Sequence, residues 1–388
     1  MNLKSLQDIK NLKGQRVLLR LDLNIYLKNK KVVKESIWRL TKVLPTLKYL
    51  SKKKAKVIII AHLGRPQGRD YNLSLLPIAK YLGKLMKKEI EFWSDDFQEY
   101  YEDSLALTEG QIVMLENIRF YERETINCQR LAKALSKLGD LYINDAFAVI
   151  HRQHSSLLAI TKYLPSYAGF LIKEEVKILE KVMKKKKGLI AILGGAKVKT
   201  KIKLLKRFIK ISDKILLGGV LANTFLKAQG YNMGLSIIEK DSLNLAKKLI
   251  NKKIILPLDF SIAYGLKAKR YSIKDIANIP HNGSALDIGP QTVKEYSKIL
   301  KKANLIIWNG PLGYFENNIF TKGSQSIAKE IIKLKKKTII GGGETVYLLT
   351  KYKLRNKFYF VSTGGGAMLA FLEGSKLKVL ERLNKYAR

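Results

Sequence analysis

The chain has 388 residues, 46% hydrophobic and 27% charged, with 73 Lys and Arg against 32 Asp and Glu for a formal charge of +41. That length exceeds what one core usually fills and predicts two domains, while the balance of apolar and charged residues excludes a long disordered chain. No apolar run approaches the roughly 20 residues of a membrane span, no secretory pattern opens the chain, and the lone Cys128 can form no internal disulfide, so the expectation is a cytoplasmic protein without a membrane partner.

In chain order, β-branched runs predict strands at 17–21, 56–61, 111–115 and 141–144, with a helical pattern at 75–87. Residues 170–183 then place apolar side chains at 171, 172, 176, 179, 182 and 183, and four lysines and Gly188 close the run as a helix end does. Strands follow at 189–193, 214–217, 253–256, 305–308, 338–340 and 358–362, with a helix at 325–334. Strand and helix alternate in both halves, which predicts an α/β protein of two doubly wound parallel-sheet domains joined by a hinge helix. The expected division is 1–169, a connecting helix at 170–187, and 188–374.

Ligands of open α/β sheets sit beyond the carboxyl ends of the strands, and the chemistry-bearing residues fall there. In the first half these are Arg20, Asp22 and Asn24, then His62-Leu63-Gly64-Arg65, then Arg119, then His151, Arg152 and His154. Three of the four histidines thus stand beside arginines at strand ends, a pattern suited to a small, multiply charged anion. The second half carries glycines instead: Gly194-Gly195-Ala196-Lys197, Gly218-Gly219, Gly341-Gly342-Gly343-Glu344-Thr345 and Gly364-Gly365-Gly366. Glycines between a strand and a helix let bare amides approach phosphate.

Lys197 and Lys201, four apart at an expected helix start, are expected to face the same way and reach phosphate oxygens. An acid at Glu344 suits a bridging Mg²⁺, and the stretch from Trp308 through Asn309 and Pro311 to Glu316 offers an apolar wall and a carboxylate for an adenine ring and a ribose. None of the glycine clusters is a G-x-G-x-x-G dinucleotide fingerprint, which disfavours a dehydrogenase. No H-R-D-type loop supplies a base for a hydroxyl acceptor, so the acceptor expected is one already ionised, such as a carboxylate. The lysine excess admits a second reading, a basic nucleic-acid-binding protein; lysines scattered from end to end, without zinc-ligand spacing or an aromatic RNA-binding signature, favour solvated helix faces over a nucleic-acid partner.

Eight motifs in order resemble those of the phosphoglycerate kinases: RLDLN, HLGRP, ENIRF, NDAF with HRQHSS, GGAKV, WNGP, GGGET and STGGGA. The resemblance spans essentially the whole chain and implies reversible transfer between 1,3-bisphosphoglycerate with ADP and 3-phosphoglycerate with ATP, using Mg²⁺, in a monomer. It implies that Asp22, Leu23 and Asn24 hold the glycerate, and that Arg20, His62, Leu63, Gly64, Arg65, Arg119, His151, Arg152 and His154 hold the phosphate that stays. Arg39 resembles the family's catalytic arginine. Lys197, Lys201 and Gly365 resemble the groups around the moving phosphoryl, with Gly195, Ala196, Gly218, Gly219, Asn309, Pro311, Glu316 and Gly341 to Thr345 around the nucleotide. Glu344 stands where most members have Asp. The family also implies a tail, 375–388, that packs back on the first domain.

Overall fold

The computed structural model describes residues 2–184 and 187–385; Lys185 and Lys186 of the expected connecting helix and residues 386–388 of the expected tail lie outside them. The chain divides into two compact units, Met1–Ile178 with Ser375–Arg388, and Leu179–Gly374. The division falls inside the helix Phe170–Met183.

The first unit holds β1 (Arg16–Leu21), a small hairpin of β2 (Leu27–Lys28) and β3 (Lys31–Val32), then β4 (Lys56–Ile60), β5 (Glu91–Trp93), β6 (Ile112–Leu115), β7 (Leu141–Asp145) and β8 (Ser166–Ala168). Six of these form one parallel sheet in the order β5-β6-β4-β1-β7-β8. The order runs outward from β1 in both directions, so the topological switch point lies between β1 and β7. Helices on both faces explain why these strands read as continuous apolar runs. Val17, Leu19 and Leu21 share one core with Val57, Ile59 and the helix residues Leu40, Leu47 and Leu82. The tail helix Lys378–Lys385 belongs to this unit and lies against β8.

In the second unit, β9 (Leu189–Leu193), β10 (Lys214–Leu217) and β11 (Ile254–Ile255) are followed by β12 (Asp259–Ala263), β13 (Ser272–Asp275) and β14 (Ser284–Ile288), then β15 (Leu305–Asn309), β16 (Thr338–Gly341) and β17 (Phe360–Val361). The parallel sheet has the order β11-β10-β9-β15-β16-β17, with its switch point between β9 and β15. The antiparallel sheet β13-β12-β14 is an addition that the sequence reading does not contain. Also beyond that reading are the edge strands β5 and β8, each three residues long and too short for a periodic signal. Among the described residues no helix is long and apolar enough to cross a membrane.

Candidate active site

At the first switch point, Arg20 and Leu21 of β1 stand opposite Asn144 and Asp145 of β7. Arg20 is fully buried. Its Nε donates to Ser156 Oγ at 3.0 Å, Nη1 donates to the Leu21 carbonyl, and Nη2 lies 3.1 Å from His62 Nδ1. Three of its five N–H donors are thus spent inside the protein, so this arginine supports its neighbours, and one N–H on each terminal nitrogen is left over. A guanidinium can only donate, so His62 Nδ1 accepts and the ring proton sits on Nε2. That Nε2 is buried and has no partner among the described residues.

Beyond the strand, Asn24 Oδ1 accepts the Gly64 N–H at 2.9 Å, which ties the turn after β1 to the turn after β4. Gly64 holds a φ of +64°, a value glycine adopts without strain. Arg39, in the first turn of the helix Ile37–Lys52, reaches Asp22 Oδ2 at 3.4 Å and the Asn24 carbonyl at 3.3 Å. Leu23 and Leu63 are buried in the core, so only their backbone is available to a ligand. Asn117 holds the Leu63 turn from the other side, accepting the Leu63 N–H at 3.2 Å and donating to its carbonyl at 2.8 Å.

Arg65, Arg119, His151, Arg152 and His154 line one cleft of about 820 Å³, together with Tyr121 and Glu122. Arg65 and His151 are exposed, Arg152 and His154 half-buried, and Arg119 buried with Nη1 on the Gly64 carbonyl. Burial, then repulsion from Arg20, Arg119 and Arg152, pushes His62 well below its usual range. Burial followed by Arg119 and Arg152 lowers His154 to about 4. Arg119 falls to about 10 through burial and then Arg152 and Arg20. These are the marks of a desolvated, overcharged cluster, which a bound anion would relieve.

At the second switch point, β9 runs into Gly194 and β15 into Gly310. The two turns pack backbone to backbone: the Gly194 N–H donates to the Asn309 carbonyl at 3.0 Å and the Gly195 N–H to that of Pro311 at 2.9 Å. The Gly218 and Gly219 amides donate to Leu193 and Leu312 at 3.0 and 2.8 Å. In these two clusters, therefore, the expectation of spare amides fails. The glycines are needed for close approach, since a Cβ on Gly194 would stand 1.9 Å from the Pro311 carbonyl oxygen. The later clusters differ. Gly342 and Gly364 precede the helices Gly343–Lys351 and Gly365–Glu373, whose first-turn amides have no carbonyl within their own helix. The two helix starts adjoin, a Cβ on Gly365 falling 3.2 Å from Gly342 Cα.

The two lysines part company. A short helical turn, Lys199–Lys201, leads into the α-helix Ile202–Ile211; Lys197 lies in the loop before it and is exposed, whereas Lys201 is buried with Nζ on the Gly194 carbonyl. They do not share a face. Burial lowers Lys201 to about 8, with Glu344 opposing the shift. Lys201 Nζ and Glu344 Oε2 lie 3.0 and 3.6 Å from the point a Gly195 Cβ would occupy, so both flank that glycine. Thr345 is buried and its hydroxyl accepts the Gly310 N–H at 2.8 Å. Trp308, expected as a wall for a ring, is instead a fully buried core residue donating to the Gly310 carbonyl at 2.8 Å. Glu316 and Ala196 are exposed, and Phe315 meets the half-exposed Tyr347 edge to face at 6.2 Å. Asn309 Nδ2 is buried without a partner among the described residues.

Sequence reasoning held Glu116 and Ser156 within the ENIRF and HRQHSS motifs without giving them a role, and it missed Glu124. Glu116 accepts from Ser74, Leu75 and Asn117, and Glu124 accepts from Ser156 twice. Glu124 lies outside every motif and carries no periodic signal.

Two open parallel sheets, one ending in desolvated cations and the other in helix N-termini beside a buried lysine, are the construction expected of an α/β phosphotransferase. Comparison with known proteins narrows the class. The family profile described as phosphoglycerate kinase matches residues 6–375. A phosphoglycerate kinase of Borreliella afzelii is 39% identical over 395 residues, covering 98% of this chain and 100% of its own. One of Dictyoglomus turgidum is 41% identical over 386 residues, covering 96% and 97%. The solved phosphoglycerate kinase of Coxiella burnetii superposes with a TM-score of 0.89 at 36% identity over 100% of both chains, and that of Pyrococcus horikoshii with 0.86 at 32% over 98% of both. The chain belongs to the phosphoglycerate kinase family, and it is a kinase of glycolytic phosphoryl transfer.

Proposed function

We propose that the cationic end of the first unit takes 3-phosphoglycerate and its acyl-phosphate form, and that the glycine end of the second takes ADP and ATP. The observation that carries this reading is the difference in construction between the two switch points. A small, compact phosphate suits a side-chain shell of Arg65, Arg119, Arg152, His62 and His154, whereas a polyphosphate suits adjoining helix starts at Gly343 and Gly365. Asp22 and Asn24 accept from the glycerate hydroxyl, and Arg39 attends the carboxylate end.

In the direction of acyl-phosphate synthesis, a carboxylate oxygen of 3-phosphoglycerate attacks the γ-phosphorus of ATP. The new P–O bond forms as the bond to the β-phosphate oxygen breaks, and ADP leaves. The carboxylate enters ionised, so no base is required. The work left to the protein is positioning and charge stabilisation, for which Arg39 and Lys201 are the cations and Lys197 and the Gly365 amide the supporting donors. Among the described residues no three His, Cys, Asp or Glu side chains group to hold a metal. One carboxylate at Glu344 beside a helix start fits an Mg²⁺ that arrives on the nucleotide phosphates and keeps most of its own ligands. That ion would neutralise phosphate charge.

The acyl phosphate hydrolyses if water reaches it, so closure of the units about the helix Phe170–Met183 completes the reading. The working form is a cytoplasmic monomer. A coupled assay of ATP formation from 1,3-bisphosphoglycerate and ADP tests the whole: saturable, Mg²⁺-dependent turnover supports it, and purified, folded protein without turnover refutes it.

A further inference from the structure

The cationic end rests on a buried acid that the reaction itself does not use. Glu124, in the short helical turn Glu122–Glu124, is fully buried. Its Oε1 accepts the Ser156 hydroxyl at 2.6 Å and its Oε2 accepts the Ser156 N–H at 2.9 Å. Both oxygens accept, as those of an ionised carboxylate do; burial raises this carboxyl, and Arg20, the two Ser156 donors and Arg119 oppose that rise. With its proton committed to Glu124, the Ser156 hydroxyl can offer only a lone pair to Arg20, whose Nε donates to it at 3.0 Å. Arg20 Nη2 then reaches His62 Nδ1 at 3.1 Å. The backbone adds a second tie, as the Ser155 N–H donates to the Glu124 carbonyl at 2.9 Å.

We propose that Glu124 is a positioning residue for the phosphate that is not transferred, acting through Ser156 and Arg20 to hold the His62 ring with its proton on Nε2. The chain of donors and acceptors runs in one direction only. Arg20 cannot accept, so His62 Nδ1 must, and the partnerless Nε2–H is the donor left for an incoming phosphate oxygen. Glu124 also stands as a counter-charge under the patch. His154 Nδ1 lies 3.8 Å from its Oε1, and a fully buried guanidinium such as Arg20 persists only with an acid nearby. This inference rests on the assignment of 3-phosphoglycerate to the first unit.

The test uses the full chain with Glu124→Gln and Ser156→Ala. Gln sets an amide N–H against a Ser156 donor, and Ala removes the atom that receives Arg20 Nε. The first readout is the ¹⁵N spectrum of the histidine rings without ligand; the chain has 4 histidines, and His62→Gln assigns the signal. Wild type should show Nδ1 unprotonated and Nε2 protonated, and both variants should drift toward a freely exchanging ring. The second readout is kinetic: KM for 3-phosphoglycerate should rise roughly ten- to hundredfold, as for a lost buried hydrogen bond, with KM for ATP within about twofold of wild type. Should Glu124→Gln fail to fold, Ser156→Ala alone decides. Folded variants with the wild-type ring tautomer overturn the proposal whatever the substrate. Arg152→Ala separates the two readings: if it leaves KM for 3-phosphoglycerate unchanged, the placement of that substrate is wrong, while the ring spectra still judge Glu124.

Discussion

Replacing Arg39 with Ala should cost little stability and nearly all turnover. In the structure Arg39 Nη1 meets Asp22 Oδ2 at 3.4 Å and the Asn24 carbonyl at 3.3 Å, both at the long edge of hydrogen bonding, with 27% of the side chain exposed. A partly exposed ion pair of that kind contributes on the order of 1 kcal/mol at most. An arginine brought to a phosphoryl transition state is worth on the order of 10³–10⁵ in rate, which at 1.36 kcal/mol per decade is about 4–7 kcal/mol. The transition-state term therefore exceeds the ground-state term several-fold. The assay is steady-state ATP formation beside thermal unfolding and ADP titration of the same preparation. Arg39→Ala should lose at least about 10³ in kcat, melt within a few degrees of wild type and bind ADP as before. A kcat within tenfold of wild type would refute the reasoning, as would a loss of activity that follows a loss of fold.

Lys201 has a folded value of about 8 against an ordinary 10.5; the unfolded chain binds the extra proton between those values, so this residue makes stability rise with pH across that window. Function moves the opposite way: kcat/KM for ATP should fall above pH 8 as the cation is lost, and Lys201→Arg, which stays charged, should abolish that limb; a limb unchanged in the Arg variant counts against it. Gly310→Ala should lower the melting temperature and displace Lys201, because φ is +92° and the new Cβ would lie 2.2 Å from the Gly194 carbonyl oxygen and 2.7 Å from Lys201 Nζ; a variant with wild-type melting and KM for ATP would show that the two turns can part. Chelation with EDTA should abolish turnover, and Glu344→Ala should raise the Mg²⁺ needed for half-maximal rate about tenfold or more, while Glu344→Asp restores it; an Mg²⁺ requirement identical in Glu344→Ala would remove that residue from the metal's surroundings.

The parallel strands were legible because both faces of each sheet are covered, so the sequence shows unbroken apolar runs ended by polar or glycine turns. Strand ends such as Leu193 and the helix at 170–183 follow directly from that pattern. The antiparallel sheet was not, since β13 reads Ser-Ile-Lys-Asp with every residue exposed. At the site, residue type and position beyond a strand end located the cations, but which of them faces solvent depends on packing. Arg20 and Arg65 look alike in sequence, yet one is interior and the other exposed. The spacing of Lys197 and Lys201 suggested one helix face, but Lys197 precedes the short helical turn Lys199–Lys201 that leads into the α-helix, and only Lys201 lies in it. Glycine clusters read alike as phosphate loops, although those at Gly194 and Gly218 spend their amides on neighbouring carbonyls. Partner strands decide that, and their approach is a long-range fact.

The central claim is that the two switch points take different substrates, and calorimetric titration of Arg152→Ala and Lys201→Ala with 3-phosphoglycerate and with Mg·ADP tests it most directly. Arg152→Ala should weaken 3-phosphoglycerate binding about tenfold or more, as for a lost charged contact, and leave Mg·ADP unchanged; Lys201→Ala should do the reverse. A variant that weakens both ligands alike, or a crossed pattern, would contradict the account.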